Sequence, residues 1–164
     1  MNRFRLAWWG LTLLTGSVFG VMLWLGNRYL YVGPDLLPPF DARVAGYSPN
    51  EAWAYLAAIC EEQAQVYMGP VHWLDTVFPP LFGTWIWIAL RWLGARRLHW
   101  LGPLYVMVDL AENRLVFMML EAGADNLSDA VARWASAATV AKFAILALAF
   151  IALGHAGLRR WGKL

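Results

Sequence analysis

Residues 101–120 read LGPLYVMVDLAENRLVFMML. Twenty residues of helix cover about 30 Å, the thickness of a bilayer's hydrocarbon, at about 1.5 Å per residue. Yet Asp109, Glu112, Asn113 and Arg114 stand in the middle of this stretch. Such a segment is either the core helix of a soluble domain or a membrane span whose polar groups face a protein interior. The rest of the chain decides. Of 164 residues, 60% are apolar, 15% are charged and 11 are tryptophan, against about 25% charged in ordinary soluble domains. Mean hydropathy is +0.48. A short soluble domain keeps too much of its surface exposed to hide this apolar load. A typical cytosolic enzyme, a disordered chain and a collagen-like repeat are thereby excluded.

Three further stretches of similar length flank the first: 6–25, continuous and uncharged; 71–90, with Asp75 and Pro79-Pro80; and 131–153, with Arg133 and Lys142. Together they predict an all-α fold, a polytopic membrane protein with four transmembrane helices in an antiparallel bundle and a single domain over 1–164. The 6–25 run exceeds the apolar core of a secretory signal, about 7–15 residues, and no small-residue cleavage site follows it, so it is read as a retained span.

Charge sets the orientation. Arg3 and Arg5, then Arg91, Arg96 and Arg97, then Arg159, Arg160 and Lys163 flank the spans on one side with no acid among them. On the other side lie Asp35, Asp41, Glu51, Glu61, Glu62, Glu121, Asp125 and Asp129, with only Arg28 and Arg43 as bases. Basic flanks stay cytoplasmic. The reading is a bacterial inner (plasma) membrane protein with both termini cytoplasmic and 27–70 facing outward. Trp8, Trp9, Trp73, Trp92, Trp100, Trp134 and Trp161 suit headgroup depth; Trp24, Trp85 and Trp87 are not explained by depth alone.

In the outer segment, Ser48-Pro49-Asn50-Glu51 is a helix start: a capping serine, proline at the first position and an acid three residues after the cap. A single amphipathic helix is predicted from there to about Tyr67, ending before Gly69-Pro70. Its apolar face, Ala52, Trp53, Tyr55, Leu56, Ile59, Cys60, Val66 and Tyr67, is set to cover the outer end of the bundle as a lid or to face a partner protein. Cys60 is the only cysteine, which excludes an internal disulfide and a cysteine-rich zinc site.

Asp109, Glu112 and Asn113 stand at i, i+3 and i+4 and project from one helical face. Counting depth from the outer ends at about 1.5 Å per residue puts Glu112 about 14 Å down and Lys142 about 16 Å down. A Glu112–Lys142 pair is therefore predicted, with Asp109 competing for the lysine. Arg114, about 10 Å down, is placed within reach of Asp75 at about 6 Å. The expected unit is a buried network of Asp75, Asp109, Glu112, Asn113, Arg114 and Lys142. Such a network either fastens helices together or serves as a proton or ion relay, or as a polar floor for an amphiphile. Pro79-Pro80 should free backbone carbonyls for a polar group. His72 and Asp75 share a face, but His99 and His155 fall at the other end, and no metal site is predicted. Gly16/Gly20 and Ala137/Ala141 are expected at close helix contacts. No phosphate loop, serine-hydrolase elbow, zinc-protease motif or nucleic-acid signature is present.

Three strings, Phe40-Asp41-Ala42-Arg43-Val44-Ala45-Gly46-Tyr47, Asp75-Thr76-Val77-Phe78-Pro79 and Asp109-Leu110-Ala111-Glu112-Asn113, resemble those of a group of small bacterial integral membrane proteins of uncharacterised function. The resemblance spans roughly 27–150 in order and spacing. It implies four helices with an outer helix between the first two, marks Asp41, Arg43, Asp75, Asp109, Glu112 and Asn113 as motif positions, and implies no activity or cofactor. A fold-level similarity to the sterol-binding four-helix EXPERA family is analogy alone, since that family places its acids differently. The leading expectation is a non-enzymatic accessory or assembly subunit of a larger membrane complex, with membrane lipids and other membrane-protein subunits as partners and no nucleic acid. The alternatives are a lipid- or small-molecule-binding or ion/proton-coupled transport protein with a polar cavity, and less readily an acid/base enzyme using Asp109 or Glu112.

Overall fold

The computed structural model describes residues 3–162, with side chains from residue 5. Lys163 and the side chain of Arg3, both used above for orientation, lie outside the described residues. The chain is all-helical: α1 (Arg3–Tyr29), α2 (Pro49–Ala58), α3 (Glu61–Val66), α4 (His72–Trp92), α5 (Leu101–Ala122) and α6 (Asp129–Arg160), with a short 3-10 turn over Phe40–Ala42. The four long helices pack in sequence, each antiparallel to the next. Trp8 stacks on Trp85 at 5.3 Å and Phe19 on Phe78 at 5.5 Å, so α1 and α4 run in opposite directions. The Arg160 guanidinium meets the Trp92 carbonyl, which brings the end of α6 to the end of α4.

Two helices, over Arg5–Tyr29 and Asp129–Arg160, are long and apolar enough to cross a membrane by length and composition. The expectation of four such helices is not met on that measure. Asp109, Glu112 and Arg114 fall within α5, and Asp75, two prolines and several tryptophans dilute α4.

The single outer helix expected over 49–67 is two helices. Backbone at Ile59 (ψ 129°) and Cys60 (ψ 165°) is extended, and the chain turns there between α2 and α3. A wide turn over Tyr67–Val71, with Gly69 out of helical geometry, then leads directly into α4. Gly69-Pro70 is thus a kink at the mouth of α4, not a linker. At the start of α2 the cap forms as read: Glu51 N–H donates to Ser48 Oγ at 3.2 Å, and Ser48 N–H donates to Glu51 Oε2 at 2.7 Å. The Ser48 N–H and the Ser48 hydroxyl, both donating to Glu51 Oε2, hold the Glu51 carboxyl below its usual range.

Two apolar clusters form the core. The outer one joins Phe40, Tyr47, Ala52, Tyr55 and Tyr67 to Val116, Met119, Ala132 and Ala135. The inner one joins Ile86, Leu90, Leu101 and Tyr105 to Ile145, Ala149 and Ala152. Both rest on sevenfold repeats. On α5, Gly102, Asp109 and Val116 alternate with Tyr105, Glu112 and Met119; on α6, Ala135, Lys142, Ala149 and Ala156 recur at the same interval, and all are buried. That spacing keeps one seam of each helix against the other along their length. The small residues at the α6 seam are these alanines, with Ala132 and Ala152. Ala137 is exposed and Ala141 half-buried, so the contact expected of that pair is not made. α4 crosses α5 at Gly83 and Gly102: a Cβ at Gly83 would stand 2.7 Å from the Gly102 carbonyl oxygen, closer than real Cβ atoms come.

Candidate functional site

Between the two apolar clusters lies one polar layer, and each repeat contributes to it. Asp109 and Glu112 occupy the seam of α5, and Thr139 and Lys142 that of α6. Lys142 Nζ is paired with Asp109 Oδ1 at 3.1 Å and with Glu112 Oε2. Thr139 Oγ1 donates to Glu112 Oε1 at 2.6 Å, so both oxygens of a carboxyl group with no solvent exposure are engaged. Depth counting brought Lys142 level with Glu112, and the structure gives the lysine both acids at once. Thr139 was not foreseen. It stands one turn before Lys142 on the seam of α6, a position that only the heptad spacing would have marked.

Asn113 has a different task. Pro79 lacks an N–H, so the carbonyl of Asp75, four residues earlier, has no helical donor. Asn113 Nδ2 donates to that carbonyl at 2.5 Å. The α5 side chain thereby completes the hydrogen bonding of α4 where the proline interrupts it. The buried Asp75 carboxyl takes no part in the Lys142 pairs and borders a cavity of about 10 Å³ shared with Asp41, Tyr67 and His72, room for a single water.

Arg114 does not join the network. Two residues beyond Glu112 it lies 200° round the helix, is exposed, and extends over the Phe117 ring at 5.6 Å. The expected Arg114–Asp75 contact is replaced by Asn113. Without that arginine, the described residues bury three carboxyl groups, Asp75, Asp109 and Glu112, and one ammonium, which pairs with the last two.

Asp41 and Arg43 sit above the layer in the outer segment. Tyr67 donates its hydroxyl to Asp41 Oδ2 at 2.9 Å. Arg43 stays in the loop: Nε and Nη2 donate to the Pro38 carbonyl at 3.0 and 2.8 Å, and the guanidinium lies 5.4–5.5 Å from the ring centres of Phe40, Tyr47 and Tyr55. It clamps the loop and pairs with none of the buried acids of α4 and α5. Tyr55 hydroxyl donates to the Leu30 carbonyl at 2.8 Å, tying α2 to the end of α1. Burial pushes the phenols of Tyr47, Tyr55 and Tyr67 up, and the Asp41 carboxylate raises them further, so all three stay neutral. The segment docks on α6 at Gly46 (φ 81°), where a Cβ would meet Ser136 Oγ at 2.7 Å; the next residue, Tyr47, donates its N–H to that oxygen at 2.8 Å.

Two of the tryptophans that depth left unexplained have packing roles. Trp85 stacks on Trp8 and donates Nε1–H to Thr12 Oγ1 at 3.0 Å. Trp87 carries Arg91 over its ring at 5.2 Å.

No family model matches the chain, and no solved structure matches it. It is similar to the tegument protein UL47 of Bovine herpesvirus 1.1 (strain P8-2), 30% identical over 146 residues, which cover 88% of this chain and 19% of that protein. The chain spans about a fifth of the length of the curated relative it matches.

Proposed function

We propose that this chain is a four-span protein of the bacterial inner membrane, with both termini cytoplasmic, that acts as an accessory or assembly subunit of a larger membrane complex. One observation carries the subunit reading: a Cβ built on Gly16 or Gly20 of α1 meets nothing within 4 Å. The close contact expected of this pair is not made inside the chain. Glycines four apart are a surface on which a second helix approaches closely in lipid, and Leu13 and Trp24 beside them are exposed as well.

The membrane reading rests on two strongly apolar helices, on the gathering of basic residues at one end, and on the inward aim of the polar groups that dilute α4 and α5. Asp75, Asp109, Glu112 and Asn113 are all buried. The polar layer then acts as internal fastening, since the cavity beside it admits a water and nothing larger. The resemblance to small bacterial four-helix membrane proteins agrees with this architecture.

Purification from native membranes in a gentle detergent, followed by native mass spectrometry, tests the proposal. A stoichiometric set of other proteins is expected. Gly16→Leu with Gly20→Leu should release them without lowering the chain's own melting temperature, because nothing of this chain packs there. Recovery of the chain alone would refute it.

A second reading follows from the excess of buried acids over Lys142. That is the composition of a site that exchanges a proton or a cation, and the water-sized cavity beside Asp75 extends toward Asp41 at the outer rim. Proton flux into proteoliposomes that Asp75→Asn abolishes would favour it over fastening.

A further inference from the structure

At the end opposite the outer segment, the α4–α5 turn and the last turns of α6 enclose an open cavity of about 710 Å³. We propose that it binds the phosphate headgroup of an anionic phospholipid; this rests on the membrane reading above.

Its rim is basic. Arg96, Arg97, Arg159 and Arg160, with His155, line it, and all are exposed. Neither contributing segment, 91–100 or 154–162, contains an acid, and among the described residues no Asp or Glu pairs with these arginines. The C-termini of α4 and α6 lie here too. Each helix dipole places about half a negative charge at its end, so the two offset about one of four positive charges. Most of the positive potential is left for a ligand.

Below the rim the wall is apolar, formed by Leu93, Leu98, Ala152 and Ala156. A cationic mouth over an apolar wall fits an amphiphile better than a free anion. Guanidinium forks match phosphate oxygens bidentately. One is already fixed: Arg160 lies 4.1 Å over the Trp92 ring and donates to the Trp92 carbonyl. Basic pockets between helices on the cytoplasmic side are suited to such headgroups.

The test uses the full chain in nanodiscs of phosphatidylcholine containing a minority of phosphatidylglycerol or cardiolipin, with native mass spectrometry of the lipid retained after release. Wild type should keep the anionic lipid in preference to phosphatidylcholine. Arg97→Gln with Arg159→Gln should weaken retention by about tenfold or more. Arg91, Arg96 and Arg160 remain to orient the chain. Arg28→Gln, at the opposite end, should change nothing, and equal melting temperatures for the variants exclude misfolding. Equal retention of both lipids, or a double variant that retains lipid like wild type, overturns the proposal. So does displacement of the lipid by millimolar inorganic phosphate, which would assign the site to the free anion. A chain that stays monodisperse without detergent and enters no nanodisc would instead overturn the membrane reading itself.

Discussion

Lys142 is the residue on which the polar layer depends. Among the described residues, its ammonium is the only buried base facing Asp109 and Glu112. Lys142→Met should lower stability by about 3–5 kcal/mol, the usual cost of stranding buried charge, read as a fall in melting temperature in detergent. Glu112→Gln in the same chain should restore part of that loss. No recovery in the double variant would show that the two side chains are not energetically coupled. The acids of this layer were legible as Asp109 and Glu112 on one helical face, and the lysine from its depth. Arg114 was misread because its reach in depth was weighed over its azimuth, which turns it away from the seam to the exposed side of α5. Asn113 was grouped correctly, but its task follows only from Pro79 on a different helix. Its partner is a backbone carbonyl, which no side-chain pattern reveals.

At the scale of elements, the start of α2 was readable because capping is local chemistry: Ser48, Pro49 and Glu51 carry the whole signal. Ser48→Ala should cost about 1 kcal/mol, seen as earlier thermal loss of helix by circular dichroism. The Glu51 carboxyl is held below its ordinary value of 4.5 by its bonds to Ser48. Its contribution is therefore complete above that value and disappears as pH falls through the lower folded value. Glu51→Gln should remove that part of the acid dependence. The break at Ile59-Cys60 escaped the reading because apolar spacing continues across it. The signal was present in Gln63, whose Oε1 accepts from the Cys60 N–H at 3.2 Å, and in the acids Glu61 and Glu62 that open α3. The Gly83–Gly102 crossing was not legible either: single glycines on two helices form no motif within one of them.

At the scale of the molecule, Cys60 reports orientation. It is the chain's one cysteine and is exposed in the outer segment, between α2 and α3. On the proposed topology, a membrane-impermeant maleimide should label it in intact cells made permeable only at the outer membrane, and prior treatment with an impermeant thiol blocker should prevent this. Labelling only after lysis of the inner membrane would reverse the topology. Overall architecture was legible where long apolar runs and one-sided charge coincide, as in α1 and α6. It was less so for α4 and α5, whose inward polar residues lower their apparent apolarity.

The layer of Asp109, Glu112, Thr139 and Lys142 also constrains how the protein is made. α5 emerging by itself brings two acids without their ammonium, and α6 by itself brings an ammonium without its acids. Only the six-residue connection over 123–128 separates them, so on the proposed topology the two helices can meet while still held by the insertion machinery. On the proposed four-span topology the pair is the smallest unit that lipid accepts, and insertion is expected to proceed by hairpin, not by helix. A chain interrupted between them would present the cell's membrane proteases with an unmatched acidic span.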